Sequence, residues 1–378
     1  MTRLVALTST GQVSGAERVL LRTLAAAVAA GWDVECLAPA GPLEAQVAAT
    51  GARHREIPEL GLAGRSPVAV LRTLVRWLRT AWLLRRTARG ADVVLVNSLL
   101  ALPALRLAGR TPPAAWLAHD VVVAPGRLRL YRLCRSALTT VVGVSAAVVD
   151  RLRDGDHGDR GDRGPALTVV HNGVVPPDLS TPLPEPVSPP VVGLNGLLTP
   201  WKGQQVLLDA AWMLPPGTRV ELLGGQLPTD ADYGDRVRAR LDGTPLGEQV
   251  TVVGHLDDPL ARMRGWSVAV SASTDPEACP LAVLEAMSLG IPVVATDHGG
   301  APEVLAGAGL LVPAGDARAL AEAVTRLLDD PDLRNRCAVR GRERVATGHD
   351  LAQQTDLLLH TLLGIAGRDH SDARGGAR

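Results

Sequence analysis

Glu277 and Glu285 stand either side of a seven-residue segment that opens with Ala278, Cys279 and Pro280. Proline suits the first turn of a helix, because the N–H it lacks has no acceptor there. That spacing puts Glu277 in the loop before a helix and Glu285 about one and a half turns inside it. Unbonded amides near Leu281 and Ala282 would then offer donors to a diphosphate. Carboxylates flanking such an anion site suit hydroxyl recognition, one toward a ribose and one toward a transferred sugar. Taken bare, the spacing favours two ordinary helix glutamates, and only the surrounding motifs decide otherwise. Cys279 lies between Glu277 and the helix start, so its thiol is expected to line the same site and to react with thiol reagents unless ligand protects it.

The elements that must position these groups follow an alternation of short apolar runs and amphipathic stretches, the pattern of parallel sheets wrapped by helices. Strands are expected at 4–8, 33–38, 93–97, 114–118, 139–144 and 167–171, with helices at 16–30 and 69–88 among them. A second series of strands is expected at 191–195, 219–223, 249–253, 268–271, 292–296 and 309–312. Helices at 204–213, 231–241, 281–289, 317–328 and 333–346 accompany it. Between the two series runs PPDLSTPLPEPVSPP, whose prolines continue neither a helix nor a central strand. The expected organisation is therefore a first domain over 1–175, a linker over 176–190 and a second domain over 191–350, with a C-terminal helix and tail over 351–378. Doubly wound sheets bind nucleotides at the carboxyl ends of their strands, beside helix N-termini.

Composition sets the outer bounds. With 46% hydrophobic and 21% charged residues the chain is ordinary for a folded enzyme, and a formal net charge of +0 gives no reason to expect nucleic acid. Phe is absent, so Leu, Val, Ala and the 7 Trp must fill the core. Cys36, Cys134, Cys279 and Cys337 lie far apart without CxxC spacing, which suggests free thiols rather than a metal or redox pair. No apolar run suits a signal peptide or a membrane span, and the expected location is the cytoplasm.

The segment DPEACPLAVLEAMSLGIPVVATDHGGAPE at 275–303 resembles the family 4 glycosyltransferases of the GT-B fold, two Rossmann-like doubly wound domains facing across a cleft. VGLNGLLTPWKGQQVLLDAA from 192, ELLGG at 221–225 and QVTVVGHLDD at 249–258 are similar to the family's nucleotide-binding turns. In the first half SGAERVL at 14–20 is similar to its glycine loop, and VVGVSAAVVDRL at 141–152 and VVHNGV at 169–174 also match. The resemblance implies retaining transfer from a UDP- or GDP-sugar without a metal or other cofactor. It implies that Glu285 holds the ribose hydroxyls, Glu277 those of the donor sugar, and Lys202 the diphosphate. It also implies donor contacts for Gly15, Gly196, Gly224, His255, Cys279, Leu281 and Ala282, and it places His119 and Asp120 beside the reacting sugar on the acceptor side. Apart from the resemblance, Lys202 reads as a surface lysine after a proline turn, and a lone His at a strand end is more often structural.

One departure stands out: the family's Gly-Arg pair ahead of Lys-Gly is Gly196-Leu197 here, which removes a cationic diphosphate contact. Arg262 and Arg264 are the nearby substitutes. This keeps open a non-catalytic partner subunit, and a nucleotide-sugar epimerase of the same fold is the other rival. Asp154-Gly155-Asp156 spells a metal-binding D-x-D, but in a Gly-rich charged stretch with no strand before it, so it reads as a loop. The stretch 69–89 places Leu71, Leu74, Val75, Leu78 and Trp82 on one helical face and arginines on another, without acidic residues. Such a helix suits an anionic membrane and a lipid-linked acceptor. A sheet-covering helix with a solvated basic face is the plainer reading and is preferred.

Overall fold

The computed structural model describes residues 1–61, 66–154, 164–226 and 230–367. The chain divides into two compact units, Met1–His171 joined by the segment from Ala352 on, and Asn172–Leu351.

The first unit holds seven parallel strands: β1 (Arg3–Leu7), β2 (Asp33–Ala38), β3 (Arg53–Glu56), β4 (Val93–Val96), β5 (Ala114–Ala118), β6 (Thr140–Gly143) and β7 (Ala166–Val169). Their order is β3-β2-β1-β4-β5-β6-β7. Leu4–Leu7 and Val93–Val96 are wholly buried, as central strands of a parallel sheet must be. The apolar pattern does not announce β3, because Arg53-His54-Arg55-Glu56 has no apolar residue at all. It is an edge strand held by charge. Arg53 Nη1 lies 2.6 Å from Asp33 Oδ1, and Arg55 Nε donates to Glu35 Oε1 at 2.6 Å. The Arg53 guanidinium accordingly holds the Asp33 carboxyl below the usual carboxylate range.

The second unit repeats the design with β8 (Val191–Asn195), β9 (Arg219–Leu223), β10 (Val250–Gly254), β11 (Val268–Ser271), β12 (Val293–Thr296) and β13 (Leu310–Val312), in the order β10-β9-β8-β11-β12-β13. In each sheet the chain works outward on one side and then crosses back to the other. The reversal falls between β1 and β4 in the first unit and between β8 and β11 in the second. At such a point the loops leaving neighbouring strands diverge and open a crevice at their carboxyl ends.

The Pro-rich stretch expected as a linker over 176–190 falls within the second unit. Buried Arg342 donates to the carbonyls of Thr181, at 2.6 Å, and Asp178. The chain passes into this unit at Asn172 and leaves it at Leu351, and these two segments are bonded together: Val174 N–H donates to His349 O and Leu351 N–H to Val174 O, both at 2.9 Å.

The helix expected over 69–88 runs from Pro67 to Thr87, yet it does not bury the apolar stripe. It packs through Thr73, Thr80, Ala81, Leu84 and Thr87 instead, with Trp77 Nε1–H donating to Leu100 O at 3.0 Å. Gly155 and Asp156 of the D-x-D lie outside the described residues; Asp154 ends the helix Ala146–Asp154.

Candidate functional site

The reversal point of the second sheet gathers the sequence motifs. After β8 the chain runs through Gly196–Thr199 into a tight turn, Pro200–Lys202, and then Gly203 starts the helix Gln204–Ala211. Gly203 has φ +74°, and a Cβ there would lie 1.8 Å from the Ala272 carbonyl oxygen. Only glycine tolerates that backbone at that distance. The close approach carries the β8 loop onto the end of β11, where Thr274 N–H donates to Trp201 O at 2.8 Å. Gly196 leaves room for the Lys202 stem, since a Cβ there would sit 3.3 Å from Lys202 Cδ.

Lys202 Nζ thereby meets Glu277, donating to Oε2, and it also lies 4.4 Å from the Trp201 ring centroid. The two side chains are 17% and 13% exposed, so water screens this pair less than a surface pair. Glu277 Oε1 accepts from Ser273 Oγ and, at 3.3 Å, from Ser271 Oγ. Its backbone is fixed from β12's loop: Gly300 N–H donates to Glu277 O at 2.7 Å, and a Cβ at Gly299 would be 2.3 Å from the same oxygen. His298 Nε2 lies 2.8 Å from Ser273 O, a donor's position that ties the serine loop to β12. Sequence reasoning missed Ser271, Ser273 and His298. The available signal was position, because all three lie at or just beyond strand ends at the sheet's reversal.

The helix begins at Leu281 with Pro280 as its cap residue, one position before the first turn expected for it. Leu281 and Ala282 are half-buried, and their N–H groups have no helical acceptor by geometry. Glu285 is the helix's fifth residue, just over one turn in, and is 8% exposed. A fixed carboxylate, a cation and a helix N-terminus thus stand together where the sheet reverses. That set can hold a diphosphate and orient hydroxyls beside it.

The first unit places its candidates at the matching point of its own sheet. Gly15 is the first residue of the helix Gly15–Ala29, preceded by Ser14 as cap. Buried Glu17 accepts from Ser14 N–H at 3.2 Å, completing a capping box, and also from Thr8 Oγ1 at 3.4 Å. Asn97, just past β4, donates through Nδ2 to Ala16 O at 3.4 Å and accepts through Oδ1 from His119 Nε2–H at 2.8 Å. This network leaves Nδ1 of His119 as an acceptor. Desolvation pushes the His119 pKa down to about 4, so the ring is neutral at pH 7. Asp120 lies at the surface.

The sign of the linkage is definite. Between the unfolded value near 6.5 and about 4, the unfolded chain binds a proton that the folded chain refuses. Stability falls as pH drops through this window, on the order of 1.4 kcal/mol per pH unit at most. His119→Gln is expected to flatten that part of the pH–stability curve in urea titrations. An unchanged slope would show that another group carries it.

Two family models together match nearly the whole chain: "Glycosyltransferase Family 4" over residues 13–176 and "Glycosyl transferases group 1" over 178–344. The chain belongs to the family 4 glycosyltransferases of the GT-B fold. It is 36% identical over 150 residues to the phosphatidyl-myo-inositol mannosyltransferase of Mycobacterium leprae, which is 39% of each chain. It is 32% identical over 168 residues to a GDP-mannose-dependent phosphatidylinositol monomannoside mannosyltransferase of Corynebacterium glutamicum, 41% of this chain and 42% of that one. These matches thus span about two-fifths of each relative's length. The crystal structure of Anabaena HepE in complex with UDP and glucose superposes with a TM-score of 0.80 at 22% identity, covering 96% of this chain and 100% of that one.

Not every residue expected at the donor site joins the Lys202–Glu277 cluster. Arg262, a substitute for the missing arginine, is already spent: it pairs through Nε, at 3.0 Å, and Nη2 with Glu221, which also accepts from Trp266 Nε1 at 2.9 Å. Arg264 is exposed on the following turn, and Leu197 itself is half-buried, its carbonyl accepting from Gln204 Nε2 at 2.8 Å. Gly224, at φ +130°, would set a Cβ 1.9 Å from Gly196 O, so it brings the β9 loop against the β8 loop. His255 lies two strands from the reversal, 66% exposed, 3.8 Å from Asp257 and without a described contact to Lys202 or Glu277.

Cys279 corrects the sequence expectation most clearly. Its side chain is buried, its carbonyl accepts from Asn172 Nδ2 at 2.9 Å, and burial pushes its thiol up to about 12. All four cysteines are free and buried. That burial opposes the expected reaction of the thiol with thiol reagents. A thiol reagent is expected to leave Cys279 unlabelled in the folded enzyme and to modify it in denaturant, as peptide mass mapping will read. Rapid labelling without denaturant would place the thiol at the surface.

Proposed function

We propose that this glycosyltransferase moves a sugar from a nucleoside diphosphate sugar to an acceptor hydroxyl, with retention at the anomeric carbon and without a metal. The observation that carries the reading is the Lys202–Glu277 pair, set beside the N-terminus of the Leu281–Ser288 helix at the reversal point of the sheet. In the chain alone each group serves as the other's counter-ion. When donor binds, the diphosphate becomes the counter-ion of Lys202, with the amides of Leu281 and Ala282 as further donors. Glu277, still held by Ser271 and Ser273, is then free to accept from the sugar's hydroxyls. Negative charge grows on the diphosphate as the glycosidic bond breaks, and preorganised positive charge at that point lowers the barrier. No nearby carboxylate is left as an obvious nucleophile. This fits a front-side path in which the leaving phosphate takes the acceptor's proton.

Donor base and sugar follow two leads: GDP-mannose in the Corynebacterium relative's name and UDP with glucose in the HepE complex. Both mannosyltransferase relatives are named for phosphatidylinositol lipids, so a lipid-linked acceptor is the first to assay. The test measures free nucleotide released from UDP- and GDP-sugars with and without acceptor. Acceptor-dependent release that persists in EDTA supports the proposal. Release abolished by EDTA and restored by manganese overturns the metal-free mechanism. Sugar isomerised without acceptor favours the epimerase, and no turnover with any pair favours a partner subunit. In the same assay Glu285→Ala is expected to raise the donor KM and Glu277→Ala to lower kcat. Wild-type constants in both variants would remove these carboxylates from the site.

A further inference from the structure

A formal net charge of +0 conceals a segregation. Residues 60–149 contain thirteen arginines against only Asp92 and Asp120. Five of those arginines lie on the 21-residue helix Pro67–Thr87, which carries no acidic residue. Its packed face is marked by Thr73, Thr80 and Thr87, seven residues apart. At about 100° per residue, Leu71, Leu74, Val75, Leu78 and Trp82 fall on the opposite side. They are 60%, 43%, 45%, 48% and 56% exposed. Arg72 and Arg79 flank this stripe, and Arg85 and Arg86 extend it past Trp82, with the Arg86 guanidinium 4.3 Å from the Trp82 ring centroid.

Scattered exposed apolar residues need no account, but five in one stripe on one helix do. We propose that this helix is a docking face for a bilayer bearing anionic headgroups. It would lie along the surface with the Leu-Val-Trp stripe in the acyl boundary and its guanidiniums on lipid phosphates. Charge selects this occupant. A second copy would bring the same unbalanced arginines against each other across a two-fold axis, whereas an anionic leaflet neutralises them and lets their stems run along the apolar layer. The contact is peripheral, since no described helix is long and apolar enough to cross a membrane. The inference stands apart from the donor site, because it is read without turnover.

Flotation with vesicles tests it. The wild-type chain is expected to float with phosphatidylcholine–phosphatidylglycerol vesicles at low salt and to stay behind with phosphatidylcholine alone. L74E/L78E and R72Q/R79Q/R86Q should each bind the mixed vesicles roughly tenfold or more weakly. All five positions are on the helix's outward side, so melting curves should match the wild type. If L74E/L78E loses its cooperative transition, the arginine variant alone decides. Failure of the wild type to float, or equal flotation of a folded variant, overturns the proposal. So does a lipid-free dimer in light scattering that L74E/L78E dissolves, which would assign the face to a second copy.

Discussion

Lys202→Ala is expected to lower kcat/KM about a hundredfold, roughly 2.7 kcal/mol of transition-state stabilisation. The size follows from the surroundings of the amine. It sits at low exposure against Glu277, and Arg262, a candidate substitute for the family's arginine, is committed to Glu221. With Leu197 where the family carries an arginine, no second cation on that loop shares the load. Removing the amine also strands the Glu277 carboxylate with two serine hydroxyls, so kcat should fall more than donor affinity. Lys202→Arg is not a conservative rescue, because the stem lies against Gly196 and a planar guanidinium is a poor substitute for a compact point charge there. Steady-state kinetics with nucleotide release checks both variants. Wild-type kcat/KM in Lys202→Ala would break the assignment. A second route uses an unusual property of the chain: Lys202 is its only lysine, the rest of its 39 basic residues being arginine. A lysine-selective acylating reagent should therefore inactivate at one side chain, and bound nucleoside diphosphate should slow that inactivation.

Gly203→Ala is expected to destabilise the second unit strongly. Two terms combine: an L-residue at φ +74°, about 1–2 kcal/mol, and a Cβ 1.8 Å from the Ala272 carbonyl, which only backbone displacement relieves. Together they amount to about 3 kcal/mol or more, on the order of 10 °C in Tm for a unit of this size. Gly217→Ala provides the comparison, because its φ is +82° but nothing lies within 4 Å of its Cβ. The difference between the two melting temperatures isolates the collision. Equal shifts would mean that the β8 and β11 loops are not pressed together as described. The displacement should also part Lys202 from Glu277, so a partly folded Gly203→Ala should turn over no faster than Lys202→Ala.

Legibility followed burial and periodicity. Twelve strands were readable because they are apolar runs between amphipathic helices. The thirteenth, β3, was not, because it has no apolar residue and is held by Arg53 and Arg55 on Asp33 and Glu35. Short helices such as Pro42–Ala49 and Leu102–Ala108 were also missed, being too brief to show a period. The Pro-rich stretch was correctly read as neither helix nor strand, while its attachment through Arg342 depends on a residue 161 positions away from Thr181.

By itself the sequence determined the fold class, the family, and the residue types gathered where the second sheet reverses. These depend on local properties: the strand–helix alternation, the glycines that tolerate left-handed backbone, and the motif order from Gly196 to Glu285. Tertiary structure alone decided which of those residues face each other. Lys202 and Glu277 are 75 positions apart and meet only because β8 and β11 are neighbours where the sheet reverses. Tertiary packing likewise buries Cys279, ties Arg262 to Glu221, and leaves the apolar stripe of Pro67–Thr87 exposed. A periodic pattern marks which side chains share a face of a helix. It does not say which face is covered, because that is set by the shape and volume of what lies beneath: here Thr73, Thr80 and Ala81 allow a close approach that the larger leucines do not.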